Sequence, residues 1–260
     1  MKLLGLFAVT FALSLRRSMA HRINLAFDLA QSLLGIGAVL ATTAAIYRHT
    51  DLLAGWSQAE TLVLTGIYAV VSGLRVALID PSLSTFVGCV RDGTLDEYLL
   101  RPAPSWFTTT CREHAPLALG QSLLGVGIAT AGVVNLPSPP RLFDIAVTLV
   151  LVVCSLVITW SVSLAIACMG FWAARFELSP LVGSLWDVGR YPGDVYRQPL
   201  RAVVTYVVPV AGMITLPAST LAGTSSPHLV VAGVGLTGIF VSVARLLFRR
   251  GVRRYTGATS

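Results

Sequence analysis

Arg91-Asp92-Gly93-Thr94-Leu95-Asp96-Glu97-Tyr98-Leu99-Leu100-Arg101-Pro102 is the longest polar, charge-dense run between two apolar segments of the chain. Five of its twelve residues are charged, in a chain whose charged fraction is 12%. Asp92-Gly93 is a turn signal, and Pro102 cannot continue a helix. Thr94, with Glu97 three residues on, fits a capping box. Leu95, Tyr98 and Leu99 then share one helical face. The run reads as a short, capped, amphipathic helix in a loop between membrane spans; the plain alternative is an ordinary solvated loop.

The flanking composition makes those neighbours membrane spans. The 260 residues are 55% hydrophobic, with mean hydropathy +0.75. A soluble domain carries about 25% charged residues, and here the fraction is about half that. Several apolar stretches reach the ~20 residues that cross a bilayer. Almost the whole chain reads as membrane domain, with no stretch left for a soluble ATPase or receptor domain. The net charge of +7 does not indicate nucleic acid, because the basic residues sit at span ends, where topology accounts for them. Cys89, Cys111, Cys154 and Cys168 form no CxxC pair and read as free thiols.

Hydropathy places spans at about 24–46, 59–80, 116–136, 142–172 and 228–248. Asp28 reads as an interfacial carboxylate, Arg75 as a snorkelling cation near the inner surface, and Trp106 as an interface anchor. Residues 1–22 mimic a signal peptide, but Arg16 and Arg17 interrupt the pattern. Thr10, Ser14, Arg17 and His21 recur at helical spacing, which favours an amphipathic helix in the inner interface. In 173–222, hydropathy alone gives an inner loop at 174–200 and a fifth span at 201–222. Only Arg48 and Arg141 of the 19 Lys and Arg residues then fall outside, so both termini are cytoplasmic.

Gly-x-Leu-Asp followed by Leu-Leu-Arg-Pro, after a first pair of spans, resembles the membrane subunits of type-2 ATP-binding-cassette (ABC) exporters. More narrowly, the chain is similar to bacterial six-span permeases of about this length that work with a separate ATPase chain. The order of elements matches over most of the chain, while Thr94 departs from the acidic residue more usual there. The resemblance implies an all-α integral membrane protein, with an interfacial "elbow" helix at 1–23 and a permease domain at 24–260. Its cytoplasmic coupling loop is 81–115. The expected ATPase contact is Gly93, Leu95, Asp96, Glu97, Tyr98, Leu99, Leu100, Arg101 and Pro102. Within it, Leu95, Tyr98 and Leu99 are the buried anchor, ringed by Asp96, Glu97 and Arg101. The resemblance also gives a second layout for 173–222. There a short fifth span covers about 177–190, Arg190, Tyr191, Pro192 and Tyr196 lie outside, and 201–222 is a re-entrant lid containing Pro209 and Pro217. That layout leaves 14 basic residues inside against 5 outside. Implied partners are an ABC ATPase subunit, a second permease copy or a sister permease, and membrane lipid. ATP and Mg would be bound by the partner ATPase, with no cofactor or metal on this chain. The implied location is the bacterial cytoplasmic membrane.

Other motifs carry less. Gly233-Val234-Gly235-Leu236-Thr237-Gly238 fits GxGxxG but lies inside the last span, where small residues serve close helix packing; Gly35, Gly37, Gly125 and Gly127 read the same way. No P-loop and no Gly-x-Ser-x-Gly is present. His21, His49, His114 and His228 lack metal-ligand spacing. Glu177 and Asp187 are either proton-carrying or interfacial carboxylates. An ion-driven secondary transporter would need mid-membrane carboxylates and symmetry between halves, and neither is evident. A non-transporting scaffold would have no use for the loop motif.

Overall fold

The computed structural model describes residues 2–20, 22–100, 105–172, 183, 186–190, 210–224 and 227–255. They form helices α1 (Lys2–Ala20), α2 (Arg22–Tyr47), α3 (Gln58–Leu78), α4 (Asp80–Asp92), α5 (Asp96–Leu99), α6 (Ser105–Thr110), α7 (Leu119–Val134), α8 (Leu142–Cys168), α9 (Val210–Leu221) and α10 (Pro227–Arg254). Tight turns at Pro116–Ala118, Met169–Phe171 and Val188–Arg190 complete the order. Among the described residues there is no strand beyond a single bridge, Leu53 to Trp56. Four helical stretches are long and apolar enough to cross a membrane: Gln58–Leu78, Pro116–Val134, Leu142–Phe171 and Val230–Arg254. The expected first span falls within α2, which holds a shorter apolar stretch, Leu33–Tyr47.

α3 is the centre. Ser57 starts it with a closed capping box: its hydroxyl accepts from the Glu60 N–H at 3.3 Å, and Glu60 accepts from the Ser57 N–H at 2.7 Å. α7 runs antiparallel to it at backbone contact. A Cβ on Gly125 would lie 2.6 Å from the Val70 nitrogen, and one on Gly132 would lie 2.7 Å from the Val63 nitrogen. Gly66 and Gly73 answer them from α3, against Ala129 and Ser122. The small residues of α7 thus serve close packing at Gly125, whereas Cβ atoms on Gly35, Gly37, Gly127, Gly235 and Gly238 would meet nothing. At Gly233 the nearest atom is a Leu151 methyl at 3.3 Å.

Two prolines shape the rest. A proline lacks the N–H that would bond the carbonyl four residues back. Pro81 thereby frees the carbonyl of Ala77, and the helix breaks at Ile79. The Ala115 N–H takes that carbonyl at 2.8 Å. Pro217 similarly frees the carbonyl of Met213, and the Ser155 hydroxyl of α8 donates to it at 2.6 Å. Here the helix continues: Pro217 lies inside α9. α9 fills the space between α3 and α8, with Met213, Ile214 and Ala218 joining Val63, Leu64 and Ile67 in one core. A second core gathers Ile79, Leu83, Phe86, Leu95, Leu164 and Phe248 at the other end.

α1 docks on the turn before α7. The Thr10 hydroxyl lies 3.3 Å from His114 Nε2, the His114 backbone N–H donates to Ser14 Oγ at 3.3 Å, and the Phe7 and Phe11 rings tilt onto the imidazole. The polar stripe predicted for this helix is therefore turned, at Thr10 and Ser14, towards the protein, while Leu6, Val9 and Leu13 face outward. His21 and the side chain of Asp28 lie outside the described residues.

Candidate functional site

The 93–100 segment is assembled by three elements. α4 ends at Gly93, whose φ of 73° is the left-handed cap that glycine adopts without strain. Its N–H and that of Thr94 both return to the Cys89 carbonyl, the latter at 3.0 Å. The chain then turns once through α5. The predicted capping box does not form. Leu95, not Thr94, is the N-cap, it makes no side-chain cap, and Thr94 is exposed. The Leu95 N–H instead donates to the Tyr255 hydroxyl at 3.0 Å.

Leu95 is 0% exposed and packed in the second core, and Leu99 packs against the same cluster. This corrects one expectation. A side chain sealed in the chain's own core cannot also enter a groove on another protein, so Leu95 seats the turn and does not dock it. Tyr98 is half-buried with Arg112 over its ring at 5.1 Å, and burial pushes its hydroxyl above the ordinary value. Leu100 is the opposite of Leu95, at 85% exposed. Asp96 is half-buried and Glu97 exposed. Arg101 and Pro102 lie outside the described residues.

The base of the turn is braced by hydrogen bonds. The Ser82 hydroxyl donates to the Glu113 carbonyl at 2.7 Å and accepts from the Glu113 N–H at 2.9 Å. The Thr85 hydroxyl donates to the Glu113 carboxylate at 2.8 Å. The hydroxyls of Thr109 and Thr110, buried in α6, are satisfied by carbonyls one turn back, at 2.7 and 2.6 Å. Trp106 is partly exposed and meets Trp160 edge-on.

A second polar group sits along α3. The Arg75 side chain is only 13% exposed; it pairs with Asp80 at 3.4 Å and lies over the Trp186 ring at 5.0 Å. It therefore turns inward rather than snorkelling. Burial raises the Asp80 carboxyl above its usual range, against the pull of Arg75. The Trp186 indole donates to Ser72 at 2.6 Å. Arg190 pairs with Asp187 at 2.8 Å and donates to the Tyr68 hydroxyl at 3.1 Å. Arg190 thus meets α3 through its side chain, at Tyr68. Tyr191, Pro192, Tyr196, Pro209 and Glu177 lie outside the described residues. Among the described residues no three His, Cys, Asp or Glu side chains gather as metal ligands would.

A family model for ABC-2 family transporter proteins matches residues 33–259. The chain belongs to this family. No curated protein and no solved structure matches the chain. An ABC-2 permease is the membrane component of an ABC transporter, generally not itself catalytic, and the family in general pairs with an ATP-binding subunit. Membership and the apolar helices together make this a multi-pass membrane protein. In this permease, residues missed by sequence reasoning hold the 93–100 turn: Tyr255, Phe171, Arg112 and Glu113. For Tyr255 a signal existed, because Ala244, Phe248, Gly251 and Tyr255 recur at four- and three-residue steps on one face of α10.

Proposed function

We propose that the protein is the permease of an ABC exporter whose ATP and Mg are bound by a separate ATPase chain. The observation that carries this reading is the seat of the 93–100 turn: Leu95 sealed in the core behind it and Leu100 projecting in front. In this reading the turn enters a groove on the ATPase. Leu100 supplies the apolar contact, and Asp96, Glu97 and Arg101 form its polar rim. Leu95, Tyr98 and Leu99 hold the turn from behind. Closure of the ATPase upon ATP binding pushes the turn, and α4 passes the displacement to α3 across Ile79. Because α3 and α7 touch backbone to backbone, they move together. Two permeases, identical or sister chains, line the pathway between them.

The layout that goes with this has six spans: α2, α3, α7, α8, a fifth at about 177–190, and α10. α1 is the elbow helix, and 201–222 is the outer lid. The arginines that end α10 support cytoplasmic termini in a bacterial cytoplasmic membrane.

The test is co-purification of the tagged chain from its host, with vanadate-sensitive ATPase activity assayed on the eluate. A stoichiometric P-loop ATPase is expected. Leu100→Asp leaves the permease folded and reduces ATPase retention at least about tenfold, the scale of losing one interface anchor. Full retention and activity in Leu100→Asp sink the docking role.

A further inference from the structure

The inner end of α10 carries Arg245, Arg249, Arg250, Arg253 and Arg254, all exposed. None of them makes an ion pair among the described residues, and α10 contains no acidic residue. Helical spacing shows what they face. Ile239, Val243, Leu246, Arg250 and Arg253 follow one another at four- and three-residue steps, so they share one stripe. Ile239, Val243 and Leu246 are exposed, at the surface a lipid chain covers. Arg250 and Arg253 thus continue the lipid-facing stripe, with Arg249 and Arg254 flanking it. α10 has 28 residues, about 42 Å of helix, roughly two turns more than the hydrocarbon core needs. Those surplus turns bring the guanidinium groups out of the acyl chains at the depth of lipid phosphates, which arginine binds through paired N–H donors.

The opposite face of the same two turns is occupied. Phe248 lies against Phe86 with ring centroids 6.0 Å apart, Tyr255 against Phe171 at 6.2 Å, and the Tyr255 hydroxyl accepts the Leu95 N–H. Gly251 is the point of closest approach, where a Cβ would strike the Phe171 ring. One short piece of helix therefore has arginines on its lipid face and the seat of the 93–100 turn on its inner face.

We propose that the inner end of α10 is a binding surface for anionic phospholipid headgroups, and that their binding fixes the seat of the 93–100 turn. The lipid contact rests on α10 spanning the membrane; its effect on turnover rests also on the coupling reading above. An acidic protein surface is the less favoured occupant, because the arginines leave the helix on the side that lipid covers.

Two readouts separate these. The first is native mass spectrometry of the purified permease with equal phosphatidylglycerol and phosphatidylcholine. The wild type is expected to retain phosphatidylglycerol at least about tenfold over phosphatidylcholine, because juxtamembrane basic residues attract anionic headgroups. Arg249→Gln/Arg250→Gln/Arg253→Gln/Arg254→Gln loses that preference, and the fourfold lysine variant keeps most of it. Equal retention in wild type and glutamine variant overturns the lipid surface, whatever the fate of the coupling reading. The second is ATPase activity of the permease–ATPase complex in phosphatidylcholine vesicles with and without phosphatidylglycerol. A several-fold rise is expected in the wild type and none in the glutamine variant. Failure of the glutamine variant to hold the ATPase in either lipid would assign the arginines to the partner protein and overturn the proposal. An intact lipid preference with no response of activity would overturn the link to the turn.

Discussion

Pro81 and Pro217 commit the same local offence, and the chain answers them differently. Each removes an N–H and orphans a carbonyl four residues back. At Pro81 the backbone breaks at Ile79, and the Ala77 carbonyl is taken by a main-chain donor, Ala115, from the connection into α7. At Pro217 the helix runs on, and the Met213 carbonyl is taken by a side chain, Ser155, from the packed face of α8. At Ile79 the chain turns off into α4. α9 is wedged between α3 and α8, and a hydroxyl already in place removes the reason to bend. Whether proline redirects a helix thus depends on what reaches the freed carbonyl.

The comparison can be broken most severely at Ala115. Ala115→Pro deletes the donor and leaves the Ala77 carbonyl without its partner. We expect a loss on the order of 3 kcal/mol, read as a fall in melting temperature in detergent. An unchanged melting temperature would mean that the kink at Ile79 does not depend on that bond. A sharper test is a double-mutant cycle at the other site. Ser155→Ala alone should cost about 1–2 kcal/mol by leaving a buried carbonyl unpaired. In a Pro217→Ala background, the restored N–H can serve Met213, and the same Ser155→Ala change should cost about half as much or less. Equal costs in both backgrounds would show that Ser155 acts by packing alone.

The smallest effect is a pH dependence beside the Ala115 bond. Burial holds His114 below its ordinary value of 6.5. The folded state therefore prefers the neutral ring. Its contribution is complete above about 6.5 and is lost as pH falls through the depressed folded value. Amide exchange across α1 should be slow at neutral pH and accelerate at mildly acidic pH, because Thr10, Ser14, Phe7 and Phe11 all rest on this residue or its backbone. His114→Gln should flatten the pH response, and a response that survives that change would place the titrating group elsewhere.

Much of the architecture was legible. Apolar length located α3, α7 and α8 to within a few residues, since span length is fixed by the bilayer, and α10 at its start, with its last six residues beyond the expected end. The turn at Asp92-Gly93 was legible because few residues accept a left-handed cap. The capping box at Thr94 was misread because a tertiary donor–acceptor pair, Leu95 with Tyr255, overrides a local signal when the segment is buried. Leu95, Tyr98 and Leu99 do share a face, but periodicity cannot say whether a face is covered by its own chain or by another. That the helix runs on through Pro217 was not legible for a related reason: Ser155, which takes the freed Met213 carbonyl, lies 58 residues from Met213. The glycines divided the same way, since Gly125 and Gly127 look alike in sequence and only the register with α3 separates them.

The bond between Leu95 and Tyr255 joins residues 160 positions apart. Translation delivers the first long before the second. While the chain is being made, the 93–100 turn lacks its acceptor and half of its aromatic backing, and it gains both only as the last helix enters the membrane. A nascent permease would thus present a loose turn and a finished one a seated turn, so assembly with a partner would be timed to completion of the chain.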